Sequence, residues 1–150
     1  MGDSPHIVIR MISNPAYTSV VRAAVQNMAG KMGLDNEATG HVVLAVDEAI
    51  TNVIRHGYRG QTDRPIWLKL TPLHDRDRIG LEVVIEDESD GVDLSRIKGR
   101  PLEEIRPGGL GVHIIQKMMD HVEYSHCEKA KGLKLRMCKW RSRTDPPPSS

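Results

Sequence analysis

One stretch constrains the fold more than any other: residues 78–86, RIGLEVVIE, in which apolar and polar side chains alternate. Ile79, Leu81, Val83 and Ile85 share one parity, the mark of a half-buried strand, and the same parity next delivers Asp87 where the strand runs into a loop. A carboxylate is therefore aimed along the core side. The run 66–71, IWLKLT, alternates in the same way and is expected to pair with 78–86 antiparallel. Upstream, HIVIRMI (6–12) is β-rich, and after Ser13-Asn14-Pro15 the segment 16–32 takes a helical rhythm through Val20, Val21, Ala24, Val25 and Met28. Gly33 ends that helix, and a second is expected from about Asp35 to His56 on the stripe Val42, Val46, Ala49, Ile50 and Val53. Downstream, 112–120 resumes a helical period, and VEYSHC and LKLRMCKW close the chain as two strands.

The 150 residues suffice for one domain with its own core, expected over 1–141, and RSRTDPPPSS leaves 142–150 as a disordered tail. Seven methionines and no phenylalanine imply a core of aliphatic and thioether side chains. A net charge of +1 supplies no field to draw in nucleic acid or an anionic membrane. Two cysteines outside any C-x-x-C pair, no apolar run long enough to span a bilayer, and a start without the plan of a secretory signal point to the cytoplasm. From about Glu88 to Gly109, Gly, Pro, Asp, Glu and Arg replace periodicity, which predicts a long functional loop.

Three places carry chemistry. On the second helix Glu48 and Asn52 lie four apart on one face beside Ala45 and Ala49. A carboxylate there suits a general base and an amide oxygen suits Mg²⁺, although the spacing equally fits a solvated polar face. Asp87, if buried, needs a donor. The exocyclic amine of an adenine in an apolar cleft is one candidate, and the N–H groups of a turn that a strand-end Asp caps are the other. Third, Pro107-Gly108-Gly109-Leu110-Gly111 stands just ahead of the helix 112–120, where bare backbone and unpaired helix N–H groups can cradle a phosphate. The set His121, His126, Cys127 and Cys138 follows no zinc spacing, and Asp47, about 100° around the helix from Glu48, is a supporting or surface group.

In chain order these elements resemble the GHKL (histidine-kinase-like) ATPase superfamily, and within it the anti-sigma factor serine/threonine-protein kinases. DEAITNVIRHGY resembles the N box, IEDESDGVD the first glycine box and RPGGLGVHIIQKMMDHVEY the second, a likeness running from about Val42 to Trp140. It implies the Bergerat fold: an α/β two-layer sandwich whose mixed, mostly antiparallel sheet is covered by helices on one face. It assigns Glu48 as catalytic base, Asn52 as Mg²⁺ ligand and Asp87 as the reader of adenine. Gly91 closes the adenine site, while Gly108, Gly109, Leu110 and Gly111 meet the phosphates of ATP or ADP. Arg106 belongs to a lid at about 92–108.

The resemblance further implies a protein kinase that phosphorylates a Ser or Thr of an anti-anti-sigma (STAS-domain) protein and sequesters a sigma factor, working as a homodimer. Two departures keep a second reading open, a nucleotide-binding regulatory module without kinase turnover. Ser89 replaces a glycine of the first glycine box, which would cost roughly 1 kcal/mol if that position needs positive φ. Leu133 stands where many relatives have Thr.

Overall fold

A computed structural model of the protein describes residues 4–90, 109–127 and 131–141, with the backbone alone for 109–112. Its strands are β1 (Ile7–Ile12), β2 (Pro65–Asp75), β3 (Arg78–Asp87), β4 (His121–His126) and β5 (Leu133–Trp140), and they form one sheet in the order β1-β2-β3-β5-β4. All four ladders are antiparallel, so the mixed sheet expected from the resemblance is not found among the described residues. The reason is topological. The connection after β3 brings the chain back into β4 in the same direction as β3, but β5 is inserted between the two and removes the parallel contact.

The alternating pattern places one parity of every strand on a single face. Met11, Ile66, Leu68, Leu70, Leu81, Val83, Ile85, Tyr124, Leu135 and Met137 are buried there, in one cluster with Val21 and Val25 of α1 (Thr18–Lys31), Val42, Val46 and Ile50 of α2 (Asn36–Asn52), and Ile115 of α3 (Gly109–Met118). Each fully buried aliphatic side chain contributes about 1.5–3 kcal/mol. The other face carries Lys69–Glu86 and Arg136–Glu82 at 2.7 Å, ion pairs that run diagonally across neighbouring strands. One face of helices and one of charge is the two-layer arrangement expected.

Local departures from the sequence expectation have local causes. The helix predicted over 16–32 begins as a 3-10 turn, Pro15–Tyr17, because the Asn14 side chain accepts from Ala16 N at 2.9 Å and Pro15 fixes the first φ; α1 proper starts at Thr18. The second helix is capped by Asp35, whose Oδ1 accepts from Ala38 N at 2.7 Å, but it does not run evenly to His56. Its end widens into a π-helical turn, Val53–Gly57, closed by Tyr58 N donating to Val53 O at 2.7 Å. Strand β2 can continue through Pro72 to Asp75 because β1 begins only opposite Leu70, at Ile7, which leaves Pro72 on an edge where its missing N–H costs no ladder bond.

The last helix begins at Gly109 rather than Val112, so Gly109 and Gly111 lie in its first turn, not in a loop ahead of it. First-turn N–H groups have no intrahelical acceptor, so the backbone donors expected of that glycine stretch belong to the helix N-terminus itself. At the other end Lys139 of β5 donates to Met118 O at 2.7 Å, capping the helix where its dipole is negative. No helix among the described residues is long and apolar enough to cross a membrane.

Candidate nucleotide site

The end of β3 puts Asp87 on the core face, 3% exposed, opposite Ile66 of β2. Three donors converge on its Oδ1: Ser89 N at 2.8 Å, Ser89 Oγ at 2.6 Å and Leu133 N at 3.2 Å. The turn-capping role weighed against an adenine contact is therefore real, but it occupies Oδ1. A carboxylate has a second oxygen, and Oδ2 takes none of these three bonds.

Ser89 behaves unlike the expectation drawn from its departure. Among the described residues only Arg59 and Arg76 combine a side chain with positive φ, so Ser89 bears no left-handed strain. It is buried at 3% exposure, and it fits because Gly57 offers no side chain: a Cβ there would stand 3.1 Å from Ser89 Cβ. Leu133 in turn supplies a backbone N–H to Asp87, which a residue of any side chain could do.

Around Asp87 the chain is drawn tight. Gly132 has φ +125°, and a Cβ on it would fall 1.9 Å from Asp87 O, so only glycine permits this approach. Gly132 O accepts from Cys127 N at 3.1 Å, which returns the β4–β5 connection to the end of β3. Burial pushes the Cys127 thiol above its ordinary pKa, with Glu86 and Asp87 adding to the rise. Tyr58, buried just past the π-turn, donates its hydroxyl to Pro65 O and accepts from Glu88 N at 2.7 Å. Its phenol is raised as well, chiefly by desolvation. Gly57 and Tyr58 are site residues that sequence reasoning missed, although both close the HGY of the N-box-like motif.

On α2, Glu48 and Asn52 are half-buried on one face, beside Ala45 and Ala49, which are buried. Among the described residues neither side chain has a hydrogen-bond partner, whereas Asp47 is held by Arg22 Nε at 3.1 and 3.2 Å and ties α1 to α2. Asn52 is the last residue of α2, and the π-turn it opens ends at Gly57 against Ser89. The structure thus links the helix end bearing Asn52 to the strand end bearing Asp87, and α3, with Gly109, Leu110 and Gly111 in its first turn, packs against α2. Gly91, Arg106, Gly108 and the lid at 92–108 lie outside the described residues. A half-buried amide and carboxylate without hydrogen-bond partners among the described residues, on a helix that packs against one with glycine in its first turn, are oxygen ligands that fit a metal-bound phosphate chain.

A family model for the histidine kinase-like ATPase domain matches residues 11–139, nearly the whole described chain. The chain belongs to the histidine kinase-like ATPase family. Within that family it is 30% identical over 142 residues to the serine-protein kinase RsbW of Listeria monocytogenes, covering 89% of this chain and 86% of the relative. It is 28% identical over 148 residues to the RsbW of Oceanobacillus iheyensis, covering 93% and 89%, and 23% identical over 147 residues to that of Bacillus subtilis, covering 93% and 88%. A crystal structure of the RsbU and RsbW domains of a Mycobacterium tuberculosis protein superposes on 92% of this chain with TM-score 0.62 at 15% identity. The match takes up 34% of that longer chain and shows a shared fold. Membership of the histidine kinase-like ATPases makes the residues around Asp87, Asn52 and the start of α3 the candidate ATP site.

Proposed function

We propose that this histidine kinase-like ATPase is an anti-sigma factor serine-protein kinase that uses Mg·ATP to phosphorylate a Ser or Thr of an anti-anti-sigma STAS-domain protein. The observation that carries the nucleotide part is Asp87: a buried carboxylate locked through Oδ1, with Oδ2 outside that set of bonds, beside a helix end whose polar groups have no partner among the described residues. The relatives named serine-protein kinases support the choice of a hydroxyl on another protein as acceptor.

In this reading Asp87 Oδ2 accepts from the adenine amine, which discriminates against a keto purine because two acceptors would then face each other. Asn52 holds Mg²⁺, and the first-turn N–H groups at Gly109, Leu110 and Gly111 hold the phosphates, with Gly91 closing the adenine site and Gly108 and Arg106 completing the phosphate site from the lid. Bound Mg²⁺ supplies charge neutralisation along the triphosphate. Glu48 accepts the proton of the attacking hydroxyl as its oxygen bonds to the γ-phosphorus and the bond to the bridging oxygen of ADP breaks. A sigma factor is the second partner, held by a homodimer in the cytoplasm.

The test mixes purified protein, a STAS-domain candidate and labelled ATP. Transfer that is lost in Glu48→Ala while ADP still binds is the expected result. Undiminished transfer in Glu48→Ala removes the role assigned to it, and binding of nucleotide without transfer to any STAS candidate removes the kinase reading.

A further inference from the structure

Ser89 is where this chain departs from the glycine of the motif it resembles, and the structure gives the departure a use. Its hydroxyl makes the shortest of the three bonds to Asp87 Oδ1, 2.6 Å against 2.8 Å and 3.2 Å for the two backbone donors. A hydroxyl on a carboxylate is a charge-assisted bond, stronger than a neutral one, and here it is 3% exposed, where water competes little. The space for it is kept by Gly57, the last residue of the π-turn. Two independent features, a hydroxyl where the motif has none and a glycine positioned to admit it, therefore act on one carboxylate oxygen.

We infer that Ser89 is a positioning residue that sets the specificity of the site for a purine bearing a 6-amino group, by fixing the rotation of the Asp87 carboxylate so that Oδ2 faces the base. The inference rests on the nucleotide reading of Asp87. The two backbone donors alone leave the carboxylate held by one good bond and one long one, so that it can swing part-way about Cβ–Cγ and carry its second oxygen out of the direction of the base. The hydroxyl adds a third bond, the shortest of the set, and narrows that swing. A base amine then meets an acceptor already oriented, and none of its binding energy goes into selecting the orientation.

A cycle over protein and ligand tests this. ADP and purine riboside 5′-diphosphate, which carries hydrogen in place of the 6-amino group, are titrated calorimetrically into the wild-type protein and into Ser89→Ala. Ser89→Gly serves as a second variant, and a thermal melt confirms that each is folded. The expected outcome is an ADP affinity lowered roughly threefold to tenfold in both variants, with the amine-free analogue changed by less than about twofold. Gly57→Ala, which crowds Ser89, is expected to reproduce the same selective loss. Equal losses for both ligands would mean that Ser89 only supports the loop, and an unchanged or raised ADP affinity would mean that the carboxylate is oriented without it; either overturns the inference. Absence of ADP binding by the wild-type protein would instead overturn the nucleotide reading beneath it.

Discussion

Two carboxylates in this molecule are treated in opposite ways. Asp87 is buried at the end of β3 with three donors on one oxygen and a glycine backbone packed on its carbonyl, while Glu48 stands half-buried on α2 with no hydrogen-bond partner among the described residues. The first must present the same atom every time a ligand arrives, so bonds and packing fix it. The second has to take up a proton during a reaction, and a carboxylate already saturated with donors is a poor base. Rigidity at the strand end and openness at the helix end are thus two requirements of one site.

The largest effect should come from breaking the rigid end. In Gly132→Ala the new Cβ falls on Asp87 O and the residue must hold φ +125°, so a loss of about 3–5 kcal/mol in urea unfolding is expected, with nucleotide binding lost alongside. By contrast Gly40 of α2 has nothing within 4 Å of its Cβ position, and Gly40→Ala should gain about 0.5–1 kcal/mol. Next comes Tyr58→Phe, which removes the hydroxyl shared by Pro65 O and Glu88 N and should cost about 1–3 kcal/mol in the same assay. A variant as stable as the wild type would show that this bridge does not brace the end of β3.

Smaller effects sharpen the open end. Glu48→Gln removes a charge with no hydrogen-bond partner among the described residues, so stability should stay within about 0.5 kcal/mol while phosphotransfer disappears. The smallest effect is electrostatic. The hydrogen bond from Lys131 Nζ, 2.7 Å from Asp90 Oδ1, lowers the Asp90 pKa, so this pair favours the folded state above the ordinary carboxylate range and ceases to do so as pH falls through the lowered value. Both groups are exposed, and Asp90→Asn should leave the acid-unfolding curve almost unmoved.

Much of this was legible in the residues because its causes are periodic. Alternation in 78–86 predicted both the strand and the burial of Asp87, and a stripe of Val and Ala placed Glu48 and Asn52 on one side of α2. What could not be read depends on contacts between segments distant in the chain. The strain expected of Ser89 does not arise, because the turn that Asp87 caps holds it outside the left-handed region; its hydroxyl instead has a use that required Gly57 to arrive beside it. The close approach of Gly132 to Asp87 joins residues 45 positions apart, and no local pattern records it. That the sheet is antiparallel throughout among the described residues has a similar reason, since the insertion of β5 between β3 and β4 is a property of the whole topology. The sequence places Gly109 and Gly111 just ahead of the helix, whereas the structure has them in its first turn, where the cost of glycine in a helix interior is relaxed.

The account depends on Asp87 Oδ2 receiving an adenine amine, and Asp87→Asn tests that atom alone. The amide oxygen can keep the bonds from Ser89 and Leu133, while its NH₂ replaces Oδ2 and sets donor against donor. Calorimetric titration with ADP should find binding weakened by about a hundredfold or more in a variant that melts near the wild-type temperature. An Asp87→Asn protein that binds ADP as tightly as the wild type would contradict the account.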